Sequence, residues 1–242
     1  MSIKFQIVSD LHLDYHRDGG ETLVNEVSET ESDYLIVAGD LSDAESTEDS
    51  LELLLAKIRV PIIFVSGNHE YFHSSIEKVD AKLRNFAAKH RKFLYLKNDT
   101  IKIGNINIGG TTLWYEYQSD NSAYYKSMYE FSCIENHQNT VYEENRKAKS
   151  FIDKNPNLDI LITHHMPSEK CIDPRFKNSS VNRFFVCPML DSMEESIAPK
   201  NWIYGHTHLA KHFQINNTNL ICNPFGNIFE NSGFDANLVI TL

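Results

Sequence analysis

The sequence has no apolar run approaching the roughly 20 residues that a bilayer-spanning helix needs, so no membrane-embedded role is expected. It also lacks a secretory leader: Ile3-Lys4-Phe5-Gln6-Ile7-Val8 runs straight into a polar motif, and a cytoplasmic protein is the expectation. Cysteine is sparse. Cys133, Cys171, Cys187 and Cys222 are widely spaced with no Cys-x-x-Cys pair, which predicts free thiols in a reducing compartment. Basic residues are in deficit, 23 against 33 acidic for a net charge of −10. That balance counts against binding long nucleic acid through a broad basic surface, while a small nucleotide in a metal-bearing cleft stays compatible with it. There is no internal repeat, low-complexity tract or linker, so residues 1–242 are expected to form a single domain with a substantial core.

What the sequence does contain is a series of short apolar runs with helical patterns between them. Residues 3–8, 34–38, 61–65 and 158–162 are continuous enough to suit strands covered on both faces. Residues 48–58 and 74–90 read as helices; in the second, Ile76, Val79, Leu83, Phe86 and Ala87 form a stripe, and Ser74 with Glu77 offers a capping box. Thr140 and Glu143 can start another helix carrying Val141, Ala148 and Ile152. Pro188 can open a last one over 188–197. Beyond residue 200 the pattern becomes short strands at 201–204, 211–215, 218–222 and 237–241, with Asn216-Asn217 as a hairpin turn. Strands at 101–103 and 106–109 flank Gly104-Asn105 in the same way. Crossovers mixed with hairpins predict mixed sheets.

Polar motifs sit at the ends of these runs. Asp10 and His12 are two apart, and in an extended segment both face one side, hence one ion. Asp40 follows Gly39, which allows a tight exit from the strand. Its two oxygens can bridge two cations, although an aspartate there can also cap the following helix. In Gly67-Asn68-His69-Glu70, Asn68 offers a neutral oxygen ligand and His69 can protonate a leaving group, while the tetrapeptide also suits an ordinary turn. His164 and His165 point in opposite directions if extended, so one of them is expected to be a ligand. His164 is the choice, with His165 behind it or facing substrate. In Gly205-His206-Thr207-His208 the two imidazoles again lie two apart and, if extended, aim the same way, one toward each metal. Each motif alone has an ordinary structural use. Their joint, ordered occurrence supplies a ligand set for two adjacent divalent ions. Oxygen and imidazole donors without thiolate suit Mn, Fe, Zn or Co.

This order of motifs, over residues 10–208, resembles the calcineurin-like metallophosphoesterase superfamily. The resemblance implies an α/β fold, a four-layer α/β/β/α sandwich of two mixed sheets flanked by helices, with metals at the edge between the sheets. By position it implies that Asp10, His12, Asp40 and His208 hold one ion. Asp40, Asn68, His164 and His206 would hold the other, Asp40 bridging, with His69 as the proton donor. The implied function is a dinuclear metal-dependent phosphoesterase acting on a small phosphomonoester or phosphodiester, a nucleotide among the candidates, by direct attack of a metal-bridging hydroxide.

Three alternatives share the fold. Ser/Thr protein phosphatases resemble a pattern with Asp-Arg-Gly soon after Gly-Asp, whereas this chain reads Gly39-Asp40-Leu41-Ser42-Asp43-Ala44. A DNA nuclease is disfavoured by the acidic balance and modest length, and a non-catalytic scaffold is expected to lose ligands. Gly110-Thr111-Thr112-Leu113-Trp114 and Asn223-Pro224-Phe225-Gly226 resemble a branch of small bacterial phosphoesterases; Phe225 stands where that branch carries an arginine. The aromatic stretch 112–131 reads as a packed insertion ahead of a base-stacking lid. Lys170, Arg175, Lys177 and Arg183 read as a solvated loop ahead of a phosphate site, and nothing in the sequence specifies an oligomeric state.

Overall fold

The period of two along each apolar run separates its residues onto two faces, and both faces are buried. In the computed structural model, which describes residues 2–242, the first half of the chain builds one sheet. It runs β1 (Lys4–Val8), α1 (Glu21–Ser28), β2 (Tyr34–Ala38), α2 (Thr47–Lys57), β3 (Ile62–Val65), α3 (Ile76–Lys89) and β4 (Phe93–Tyr95). The second half continues with β5 (Asp99–Ile103), β6 (Ile106–Gly110), α4 (Glu130–Cys133), α5 (His137–Lys154), β7 (Ile160–Ile162), β8 (Asn201–Tyr204), β9 (Lys211–Ile215) and β10 (Thr218–Cys222). The last strand, β11 (Val239–Thr241), returns to the first sheet. The strand orders are β11-β1-β2-β3-β4 and β5-β6-β7-β8-β10-β9. β1 to β4 are parallel with β11 antiparallel at the edge. In the other sheet the β5–β6 and β9–β10 hairpins flank a parallel centre.

Alternation then makes the layers. Phe5, Ile7, Ile36, Ala38, Ile63 and Val65 meet Ile108, Ile160, Ile162, Ile203 and Ile221 in a core between the sheets. The opposite faces, Val8, Leu35, Val37, Ile62 and Phe64, pack under α1 to α3. Leu161, Trp202, Tyr204 and Leu220 pack with Ala148, Phe151 and Ile152 of α5. The result is the α/β/β/α sandwich of two mixed sheets. Each fully buried Ile or Leu stabilises the assembly by about 1.5–3 kcal/mol relative to exposure.

Several local expectations are corrected. The capping residue of α3 is Ser75, whose hydroxyl accepts from Lys78 N, and not Ser74. Ser74 is held outside the helix by Glu135 N, which donates to its carbonyl. The helix expected over 188–197 is replaced by a single 3₁₀ turn, Leu190–Ser192. There Leu190 N bonds Pro167 O, and the Asp191 carboxylate accepts from Ser168 Oγ and Glu169 N, so the segment braces the loop after β7. α5 begins at His137, ahead of Thr140, and α1 and β4 carry no pattern strong enough to read in advance. All four cysteines are free. No helix among the described residues is long and apolar enough to cross a membrane.

Candidate metal centre

β1, β2, β3, β7 and β8 each end in one of the polar motifs, and the five strand ends converge. The loops that follow are laced together: Asp10 N bonds Gly39 O, His12 N bonds Asp40 O, and Gly205 N bonds His164 O. The backbone differs from the extended form expected for the paired ligands. Asp10 (φ 51°), His12 (φ 43°), Asp40 (φ 55°), His206 (φ 70°) and His208 (φ 48°) all adopt the left-handed region. For non-glycine residues this carries strain, which packing and hydrogen bonds around the centre sustain. Same-side projection therefore comes from tight left-handed turns and not from a pleat. Asp40 does not cap α2 either; that position belongs to Ser46.

Three sets of donor atoms lie within 4.8 Å of one another: Asp10, His12 and His208; His12, Asp40 and His69; and Asp40, His164 and His206. Asp40 belongs to two of them. Asn68 joins the third set, its Oδ1 3.1 Å from His164 Nε2. His165 lies behind this layer, its Nδ1 3.2 Å from Thr112 O and its ring against Trp114 and His206.

The protons in this cluster leave a gap that a cation fits. His164 Nδ1 donates to Ala38 O at 2.9 Å, which turns Nε2 inward. Asn68 Nδ2 donates to buried Glu130 at 3.1 Å, which turns the amide oxygen inward. His164 Nε2 then stands 3.1–3.2 Å from three atoms that can each present a lone pair, Asn68 Oδ1, Asp40 Oδ2 and His206 Nδ1. One proton on Nε2 can satisfy only one of them, whereas a divalent ion satisfies all four. On the other side Glu230 Oε2 holds His208 Nδ1 at 2.7 Å, leaving His208 Nε2 facing His12 Nε2 at 3.2 Å and Asp10 Oδ1 at 3.5 Å. An imidazole oriented by a carboxylate is the usual partner of a bound metal. The residues present fit hard or borderline divalent cations.

The electrostatics follow burial and charge. Burial would lower the His164 pKa, but the Asp40 carboxylate and then Asp10 raise it to about 9. His208 is treated likewise by Asp10 and Glu230 and also reaches about 9. Burial wins at His12, which falls to about 4, and at His165, which falls to about 3. Asp40 is held well below the ordinary carboxylate value: burial opposes ionisation, but His164 and His69 favour it more strongly. A cation at the centre would compete with the protons on His164 and His208.

His69 lies at the exposed side of the centre. Its N–H donates to Asp40 Oδ1 at 2.9 Å, and its ring nitrogens stand 3.9 Å from Asp40 Oδ2 and 3.4 Å from Tyr15 OH. Three acidic residues carry roles that sequence reasoning does not assign. Glu70 is fully buried and accepts from the backbone N–H of Asp40, Leu41, Ser42 and Gly67, tying the β2 and β3 exits together. Burial and then Asp40 raise its pKa to about 8, against the opposing pull of His164 and of the Gly67 and Leu41 N–H groups. Glu70 falls inside one of the polar motifs, which is a signal that could have found it; Glu130 and Glu230 lie in stretches with no pattern.

Much of the aromatic stretch is core: Trp114 and Tyr115 are buried, whereas Tyr129 reaches the mouth of the centre. The basic side chains of the following stretch do not line that opening, Arg175 pairing with Asp173 and Arg183 with Asp120. His16 bonds Leu11 O at 3.1 Å and stays outside the donor sets.

The family model described as calcineurin-like phosphoesterase matches residues 3–210. An uncharacterized protein of Acanthamoeba polyphaga mimivirus is 27% identical over 263 aligned residues, covering 94% of this chain and 92% of its own. Among solved structures, the phosphopantetheinyl hydrolase of Mycobacterium tuberculosis is similar in fold at TM-score 0.74 and 18% identity, with 99% of this chain and 95% of that one covered. A protein of Thermus thermophilus is similar at TM-score 0.61 and 14% identity, with 93% and 90% covered.

Proposed function

The chain belongs to the calcineurin-like phosphoesterase family of metal-dependent phosphoric ester hydrolases, and from that premise we propose that it uses two divalent ions to hydrolyse a small phosphomonoester or phosphodiester. The observation that carries the reading is Asp40, whose carboxylate belongs to one donor set with His164 and His206 and to another with His12 and His69. In the proposed arrangement Asp10, His12, Asp40 and His208 hold one ion, and Asp40, Asn68, His164 and His206 hold the other. The whole chain acts as one domain.

Bound divalent ions supply positive charge for the phosphoryl oxygens and activate water for in-line attack. The protein's own groups do the rest. Glu130 and Glu230 fix the Asn68 amide and the His208 ring, so the donors are oriented before an ion arrives. His69, partly exposed beside Asp40 and lining the cleft, donates a proton to the departing alkoxide. His165 stays behind the donors and supports the His206 ring.

Elemental analysis with a parallel assay on chromogenic mono- and diester phosphates tests the reading. Two ions per chain and turnover of at least one ester are expected, and Asp40→Ala is expected to lose both ions and turnover, since it removes the carboxylate common to two sets. A metal-loaded protein inert toward every ester, or an Asp40→Ala variant that keeps both ions, would overturn it.

A further inference from the structure

Beside the donor sets opens a cavity of about 640 Å³. Phe72, Met128, Met166, Ile172, Val181 and Phe185 give it a largely apolar wall, with Ser127, Ser179, Asn182 and Asn227 as neutral polar groups among them. Tyr15, Tyr129 and Phe176 line its mouth while 45%, 57% and 56% exposed, and Ile228 and Phe229 stand exposed on the loop between Asn227 and Glu230, both of which also line it. Three of the eight exposed large hydrophobic residues among the described residues thus line one opening. Scattered exposed apolar residues are ordinary, but a cluster around a concave site marks a surface that is covered in use.

The charge of this cavity is equally one-sided. Among the described residues no lysine or arginine lines it, whereas Asp173, Glu230 and Glu130 do. Arg175 is bound to the Asp173 carboxylate and Arg183 to Asp120 and Asn121, so neither guanidinium is free for a ligand anion. Any phosphoryl group must therefore find its positive charge at the metal centre. A second phosphate or carboxylate on the same substrate would find only neutral hydroxyl and amide groups such as Ser179 and Asn182, and no lysine or arginine, to offset its lost hydration.

Resting on the phosphoesterase reading above, we infer that this cavity selects a substrate whose phosphoryl group is its only anion and whose esterified organic group is uncharged and largely apolar, an aromatic ring or a group of similar shape. The organic group lies against Phe72, Met166 and Phe185 and passes out between Tyr129 and Phe176. Polyanions such as nucleoside triphosphates are excluded by the wall and not by size.

Binding of hydrolysis-inert phosphonates to the manganese-loaded protein, followed by calorimetry, separates this inference from turnover. Phenylphosphonate is expected to bind about tenfold or more tighter than methylphosphonate, as burial of a ring in an apolar cavity requires. 3-Phosphonopropionate, with its second anion, is expected to bind no tighter than methylphosphonate. Phe176→Ser combined with Tyr129→Ser is expected to narrow the phenyl-to-methyl ratio to about threefold or less. Equal affinity for phenyl and methyl, tighter binding of the carboxylate, or no binding of any of the three overturns the inference. If esters are hydrolysed without aryl preference, the selectivity fails and the catalytic reading stands. If phenylphosphonate is preferred but no ester is cleaved, the reverse holds.

Discussion

His69 occupies a position with two duties open to it, because its ring is close enough to His12 and Asp40 to share their donor set and also faces the cleft. Its partial exposure to the cleft makes it the proposed proton donor, while its 3.9 Å separation from Asp40 Oδ2 is also within the span of two ligands of one ion. The His69→Ala variant separates the two. Metal content at the wild-type level with kcat lowered by about 10²- to 10⁴-fold is the expected outcome, read by elemental analysis beside steady-state kinetics. Loss of an ion from the same variant would make His69 a ligand. His164 and His165 show how far a sequence resolves such choices. Opposed projection of adjacent residues limits the expected ligands to one of the pair without saying which, and the Ala38 carbonyl that turns His164 Nε2 inward comes from a strand 126 residues away.

At the level of strands and the loops that leave them, the centre is a set of exits packed with almost no spare room. A Cβ on Gly67 would lie 2.1 Å from Asp40 Oδ1 and 2.7 Å from His164 Cε1. Gly67→Ala is therefore expected to keep the sheets, since it lies outside every strand, and to displace Asp40. Metal content falling below half with an unchanged far-ultraviolet circular dichroism spectrum would show this; full metal content would refute it. The strands were legible because continuous apolar runs are buried on both faces, and the motifs because their donor types have no packing use together. The left-handed turns at Asp10, His12, His206 and His208 were not, since an extended segment and a tight turn predict the same convergence. The expected helix over 188–197 failed for a tertiary reason: Asp191 is drawn to Ser168 and Glu169. Local propensity carries no trace of that contact.

For the molecule as a whole, acid is the condition that exposes the cost of burying imidazoles. His137 is 1% exposed, its Nε2 is hydrogen-bonded with Tyr115 OH at 2.7 Å, and burial lowers its pKa to about 3. The folded pKa lies below the unfolded one, so the neutral ring costs nothing above a pH of about 6.5. As pH falls from about 6.5 toward 3, the unfolded chain takes up a proton that the folded chain refuses, and stability is lost at about 1.4 kcal/mol per pH unit. Urea unfolding at pH 7 and pH 5 is expected to show His137→Gln losing about 2 kcal/mol less than wild type over that interval; parallel losses would remove His137 from the account. The five left-handed positions bear on the molecule differently. Aspartate and histidine there each oppose folding by on the order of 1 kcal/mol where glycine would not. A redesign guided by thermostability alone would replace them first and end with a tougher sandwich unable to do chemistry. Their persistence makes this corner of the fold the place where robustness and reactivity are in direct competition.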